Sequence, residues 1–247
     1  MLKATDDGLN VRQRIIDVYS KEGFASIPPE DLNGRFRWMG LYTQRKPGID
    51  GARTAKLTPE EMSDEYFMMR IRLDGGAITT DQLRVIASLS TEFARDTADI
   101  TDRQNIQLHW VRVEDVPEIW DRLDASGMDS IEACGDVPRV VVGSAVAGIA
   151  VDEIIDPSPV IAEIREKYIG SPEFSNLPRK YKTSFTGHPS LDAVHEINDV
   201  SFVGVRHPEL GPGYDLWVGG GLSTVPHLAK RLGVFVRQEQ AADVWRG

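Results

Sequence analysis

Cysteine is nearly missing from this chain: of 247 residues only Cys134 carries a thiol. One thiol excludes an internal disulfide, a four-cysteine zinc site and a four-cysteine iron–sulfur cluster held by this chain alone. Long hydrophobic runs are missing as well. The longest apolar stretch, Val140 to Val151, is glycine-rich and falls short of the ~20 residues a membrane span needs. Asp6, Asp7, Arg12, Arg14 and Asp17 crowd the start, so there is no uncharged signal-peptide core. Positive charge is in deficit: 28 basic against 38 acidic side chains give a formal charge of −10. That argues against a general nucleic-acid binder, whose affinity comes from phosphate neutralisation. The five histidines show no HExxH spacing, and no GxSxG elbow, P-loop or dinucleotide fingerprint is present. These absences predict a soluble, cytoplasmic protein with neither a membrane nor a nucleic-acid partner.

What is present is ordinary globular composition, 41% hydrophobic and 27% charged, enough for one large domain or two small ones. Residues 1–65 read as an N-terminal arm with one short helix, broken by Pro28, Pro29, Gly34, Pro47, Gly48 and Gly51. In it, Arg35 to Lys46 mixes bases with aromatics. Trp38, Leu41 and Tyr42 are expected to pack on the next domain, or Arg35, Arg37, Arg45 and Lys46 to meet an anionic ligand.

Residues 66–145 alternate regularly. A strand over Tyr66 to Leu73 precedes a helix capped by Thr79 or Thr80, with Leu83, Ile86, Leu89 and Phe93 on its apolar stripe. A second strand, Gln104 to Val113, has Ile106, Leu108 and Trp110 on one face. A second helix, Asp115 to Ala125, ends at Gly127. This order matches much of a split βαβ, ferredoxin-like unit. Residues 146–247 read as the first part of a mixed α/β domain. They hold a helix near Pro159 to Tyr168, and strands at Tyr181–Phe185, Val200–Val205 and Tyr214–Val218. A short helix follows at Val225–Leu232, and another starts at Glu239. The predicted fold class is α+β, a ferredoxin-like half domain followed by a mixed domain that is cut short.

Several constellations could carry chemistry. Arg70 and Arg72 alternate onto one face of the first strand, and Gln107 and His109 share a face of the second, with Arg103 at its entry. A solvated outer face explains that pattern equally well. Arg139 precedes the glycine-rich run Val140 to Gly148, whose composition lets backbone approach a flat ligand closely. Lys180 and Lys182 sit two apart at a strand start, unfavourable unless solvated or shared by an anion, though a basic edge strand also accounts for them. Gly219-Gly220-Gly221 is a tight turn or a phosphate cradle.

Five ordered motifs now stand in the chain: Met69-Arg-Ile-Arg-Leu-Asp-Gly-Gly76, Thr101-Asp-Arg-Gln-Asn-Ile-Gln-Leu-His109, Gly135-Asp-Val-Pro-Arg139, Leu177-Pro-Arg-Lys-Tyr-Lys182 and Asp215-Leu-Trp-Val-Gly-Gly-Gly-Leu-Ser223. With them the chain resembles the sirohaem-dependent sulfite and nitrite reductases from about residue 10 to its end. The arm Arg37-Trp-Met-Gly-Leu-Tyr-Thr-Gln-Arg45 is most similar to the ferredoxin-dependent sulfite reductase branch found in actinobacteria. The resemblance implies a six-electron reduction of sulfite to sulfide, or of nitrite to ammonia, at a sirohaem coupled to a 4Fe–4S cluster. Ferredoxin is the implied electron donor. It places Arg72, Arg139, Lys180 and Lys182 on the substrate-binding cations, and Arg70, Arg103, Asn105, Gln107 and His109 on sirohaem contacts. Arginine forks suit the carboxylates of sirohaem, and paired lysines supply compact charge and protons to a small oxyanion.

The departure is in length and thiols. Family members are about twice as long, and the cysteine pairs of their second half have no counterpart here. The expectation is an N-terminal portion, inactive alone, that needs the missing C-terminal half and leaves apolar surface exposed near Leu216, Trp217, Leu222 and the last helix. Competing readings are a nitrite reductase portion, a related enzyme of corrin biosynthesis, disfavoured by the lysine pair, and a non-catalytic ferredoxin-like module that binds an anion or a partner.

Overall fold

The computed structural model describes residues 6–50, 53 and 57–247. They form two compact units. The first holds the chain up to residue 73, residues 78–137 and 170–179; the second holds 74–77, 138–169 and 180–247.

In the first unit a helical run, α1, is made of Val11–Arg14, a π turn at Ile15–Tyr19 and Ser20–Glu22. Strands β1 (Leu41–Arg45), β2 (Met62–Ile71), β3 (Ala98–Ile100) and β4 (Ile106–Arg112) form one sheet in the order β1-β2-β4-β3, every neighbouring pair antiparallel. Between β2 and β3 runs α2 (Thr80–Phe93), and after β4 comes α3 (Val116–Ala125). Thr79 and Gln82 cap α2 reciprocally: Gln82 N–H donates to Thr79 Oγ1 at 3.2 Å, and Thr79 N–H to Gln82 Oε1 at 2.9 Å. Alternation in β2 and β4 buries Phe67, Met69, Ile71 and Leu108 completely, in one core with Ile86, Leu89, Ile119 and Trp120 from the helices. Because β4 lies between β2 and β3, the unit is a split βαβ.

The arm does more than pack. Its Leu41 and Tyr42 pair with Met69 and Met68, so the arm supplies the fourth strand of the ferredoxin-like sheet. Phe36 and Phe67 stand 5.2 Å apart, ring centre to ring centre, and Tyr19 is 5.9 Å from Phe36. Two expectations are corrected here. Leu83 lies outside the buried stripe and is exposed. Trp110 leaves the apolar face: Phe67 pairs with Val111 while Met69 pairs with Leu108, so His109 and Trp110 together oppose one residue of β2. Trp110 sits at φ 60°, in the left-handed region. The bulge turns Val111 into the core and leaves Trp110 half-buried.

In the second unit β5 (Thr183–Thr186) runs parallel to β6 (Val200–His207). β7 (Gly211–Val218) and β8 (Lys230–Val236) follow antiparallel, in the order β5-β6-β7-β8. Phe185 stacks on Phe202 at 4.3 Å, with Tyr214 edge-on to both. Helix α4 (Ser158–Tyr168) and the last helix, α5 (Ala241–Arg246), complete the unit. Trp245 N–H donates to Thr183 Oγ1 at 2.7 Å, and its ring lies against Tyr168 and Tyr181.

The expected helix over 225–232 is absent. The spacing of Val225, Leu228 and Leu232 mimics a helical stripe, but the chain from Lys230 pairs with β7 instead. A register shift on the β7 side between Asp215 and Trp217 accommodates extra residues around Gly233, whose φ is +72°. The apolar exposure expected near the end of the chain is met in part: Leu222 and Val244 are exposed and Trp217 is half-buried. Leu216 and α5's Ala241, Ala242 and Trp245 are buried, whereas Leu222, Val225, Leu228, Leu232 and Val234 are 48–68% exposed. No helix among the described residues is long and apolar enough to cross a membrane.

Candidate functional site

The face of the first sheet opposite the helices is open and carries polar side chains in register. Arg70 pairs with Gln107 across β2 and β4. With its amide oxygen turned to the guanidinium, Gln107 accepts from Arg70 at 2.7 and 3.3 Å. His109 is held at both ring nitrogens, Nδ1 3.0 Å from Gln44 Oε1 and Nε2 2.9 Å from Asp99 Oδ2. The displaced Trp110 lies beside it, and Arg95 caps the indole at 4.9 Å and Tyr66 at 5.0 Å. Gln44, Arg70, Arg95, Asp99, Gln107, His109 and Trp110 line an open groove of about 860 Å³ together with Arg45 and Lys46, and among the described residues Asp99 is its one carboxylate. Flat rings, several cations and one acid suit a planar polyanion.

The arm's bases therefore divide. Arg45 and Lys46 reach the groove, but Arg35 is bound internally to Asp31 at 2.7 Å and Asp6 at 3.2 Å. Burial pushes the Asp31 carboxyl up, yet hydrogen bonds from Tyr19, Arg35 and Arg14 outweigh this and hold it below its usual range. Arg37 donates to Asn33 O and lies over Tyr42. Arg103 is half-buried in the turn before β4. Asn105 is buried, and its Oδ1 accepts from Leu73 N–H at 3.3 Å, so it ties the end of β2 to the start of β4.

Arg72 has different surroundings from Arg70. It is fully buried; its main chain bridges Asp129, and its Nη1 donates to Glu132 O at 3.2 Å. Glu132, which sequence reasoning did not single out, is fully buried at φ 52°. One carboxylate oxygen accepts from Gly170 N–H at 2.8 Å and the other has no hydrogen-bond partner. Desolvation pushes this carboxyl up to about 7, against the Gly170 hydrogen bond and the attraction of Arg72.

In the second unit the chain around Arg139 runs beside the segment that leads into β5. Pro138 bridges Tyr181 in parallel, and Arg139 N–H donates to Tyr181 O at 2.8 Å. Tyr181 packs on Trp245, so alternation puts Lys180 and Lys182 on the other face, with Arg139 opposite Lys182. The bridge sets the backbone of Arg139 beside that of Lys182, and Arg139, Lys180 and Lys182 are each half-buried.

The glycines turn out to serve the chain itself. A Cβ on Gly143 would stand 2.9 Å from Gly75 Cα and 3.1 Å from an Ile161 methyl, so protein rather than a ligand makes the close approach there. The 219–221 turn is no phosphate cradle. Its three N–H groups donate to Asp199 O, Asn198 O and His227 O at 2.9, 2.9 and 2.8 Å. Among the described residues no three His, Cys, Asp or Glu side chains gather where a metal ion could be held, and the one thiol, Cys134, is buried. The donor set for an iron–sulfur cluster is not in this chain.

The fold defines an α+β protein with a ferredoxin-like half domain. Family comparison agrees. Residues 59–126 match the nitrite/sulfite reductase ferredoxin-like half domain, and residues 134–247 match the nitrite and sulphite reductase 4Fe-4S domain. The chain belongs to the nitrite and sulphite reductase family. It is 57% identical over 244 residues to Sulfite reductase (ferredoxin) 1 of Mycolicibacterium paratuberculosis, covering 99% of this chain and 44% of that protein. It is 34% identical to the assimilatory ferredoxin-dependent nitrite reductase of Haloferax mediterranei, covering 94% of this chain and 40% of that protein. The solved structure of the Mycobacterium tuberculosis NirA protein superposes with a TM-score of 0.93 at 56% identity, over 99% of this chain and 44% of that one. The chain therefore spans less than half the length of these three relatives.

Proposed function

We propose that this chain supplies the anion-binding and tetrapyrrole-binding part of a ferredoxin-dependent sulfite reductase. The observation that carries the reading is the Pro138–Tyr181 bridge, which runs the backbone of Arg139 beside that of Lys182 and supports a shared face for Arg139, Lys180 and Lys182. A guanidinium and two ammonium groups around one small dianion offset its charge, and the ammonium groups hold protons for the oxygens that leave as water. Arg72 is assigned to the same anion by resemblance alone.

Sirohaem fits the residues of the open groove. Arg70, Gln107 and His109 lie on its lining, with Arg45, Lys46 and Arg95 as further cations and Trp110 as an apolar wall. Arg103 and Asn105 belong to the turn before β4, and in this reading they shape the groove's end. When bound, sirohaem supplies the iron that takes the anion and passes electrons to it. The 4Fe–4S cluster does not fit this chain, so its ligands come from other polypeptide, and the chain alone is inactive. The domain order in this reading is an arm over 1–65, the half domain over 66–145 and the first part of a larger domain over 146–247. The exposed stretch from Leu222 to Val234 supports a covering by the further length that the relatives possess. A cytoplasmic location follows from ferredoxin as donor.

Anaerobic reconstitution tests this. The chain alone is expected to show neither a bound-sirohaem absorption spectrum nor sulfite reduction, and both are expected when the remaining length of a relative is co-expressed with it. Reduction by the chain alone overturns the reading, and faster turnover of nitrite than of sulfite by the completed enzyme selects the nitrite alternative.

A further inference from the structure

Lys182 stands one residue before the first ladder pair of β5 and β6, Thr183 with Val200. Its N–H therefore lies just outside the sheet. It donates instead to the Asp199 carboxylate, Oδ2, at 2.7 Å, while Lys182 O accepts from Val200 N–H at 3.2 Å. Asp199 is itself clamped, its carbonyl accepting from Gly219 N–H at 2.9 Å and the adjacent Asn198 carbonyl from Gly220 N–H at 2.9 Å. Only glycine fits at 220, since a Cβ would stand 2.3 Å from Glu196 O and 2.6 Å from Asn198 O. Asn198 Nδ2 closes the turn onto Val194 O at 3.0 Å.

From this geometry we propose that Asp199, seated on the Gly219–Gly220 turn, is the positioning residue that fixes Lys182 beside Arg139. The inference rests on Lys182 serving the anion, and it gives a role to two motifs that hold no ligand of their own. A charge-assisted bond to a main-chain N–H is stronger than a neutral one, which suits the end of a ladder, where strands fray.

The test is competitive acetylation of the chain with acetic anhydride, reading Lys182 by mass spectrometry against exposed Lys21, with and without sulfite. In Asp199→Ala the relative labelling of Lys182 is expected to rise about fivefold. Asp199→Asn keeps an acceptor oxygen and is expected to return most of the way to the parent value. Unchanged Lys182 labelling in a folded Asp199→Ala overturns the proposal, as does a rise spread equally over Lys167 and Lys230. If the alanine variant does not fold, scalar coupling across the hydrogen bond from Lys182 15N to Asp199 13Cγ in the parent chain decides, and its absence overturns the proposal. Sulfite is expected to slow labelling of Lys180 and Lys182 in the parent. Failure of that protection overturns the anion-binding role but leaves the sulfite-free labelling result standing.

Discussion

The two sheets of this chain solve the same problem differently. Each has four strands and two edges, and each leaves one end strand exposed, β3 in the first and most of β8 in the second. The first takes its edge strand β1 from the arm, and its apolar side closes on α2 and α3 in a continuous core from Val11 to Val137. The second ends on β8, whose first five residues are exposed and whose Leu232 and Val234 have little to cover them. A sheet with a free, apolar edge strand is an invitation to pair. The comparison sets a half domain closed on a continuous core against a unit whose last strand leaves Leu232 and Val234 exposed.

The hardest blow to that contrast is Trp245→Ala. Trp245 is 3% exposed and bonds Thr183, so its loss costs about 3–5 kcal/mol. If the units differ as described, denaturant unfolding shows an early transition for the second unit and an unmoved one for the first. An equal loss in both breaks the contrast. Next comes Glu132, the first unit's own weak point. Its pKa is raised from 4.5 to about 7. Stability linked to it is therefore fully present below the unfolded value and is lost as pH rises through about 7. The loss amounts to roughly 3 kcal/mol. Glu132→Gln keeps the Gly170 bond and is expected to flatten stability between pH 5 and 8 (about three units), read by thermal unfolding; a parent profile already flat there refutes the buried-acid account.

A smaller change is expected at Trp110→Gly. Glycine tolerates φ 60°, which offsets the lost packing, so stability stays within about 1 kcal/mol. Affinity of the groove for a carboxylate-rich porphyrin, measured by fluorescence quenching, falls about fivefold. The smallest effect belongs to Leu232→Lys with Val234→Lys: stability moves by less than about 0.5 kcal/mol, while binding of a hydrophobic dye to the second unit drops. Undiminished dye binding places the sticky surface elsewhere.

Much of the fold was legible because it rests on local chemistry. The cap at Thr79 or Thr80, the alternation of Met69 and Ile71 against Arg70 and Arg72, and the stripe of Ile119, Trp120 and Leu123 each announce an element within one turn or one strand. The cations of the candidate site were legible as residue types. Their company was not. Arg35 and Arg45 look alike in the arm, yet Asp31 binds the first and the groove receives the second. Trp110 follows the alternation of Ile106 and Leu108 until a bulge, set by pairing with β2, turns it outward. Val225, Leu228 and Leu232 keep helical spacing in a segment whose later part, from Lys230, the β7 partner draws into a strand.

By itself the sequence determined the residue types, the elements with strong caps or alternation, the single thiol that leaves a cluster without ligands, and the family these motifs carry. The tertiary structure alone decided which face each side chain serves: that the arm is a strand, that Glu132 is buried against Arg72, that the glycine turn holds Asp199 and not a phosphate, and that β8 is left open. The reason is range. Periodicity and capping act over a few neighbouring residues, whereas register, bulges and burial are set by partners far along the chain, whose identity appears only once the sheet has formed.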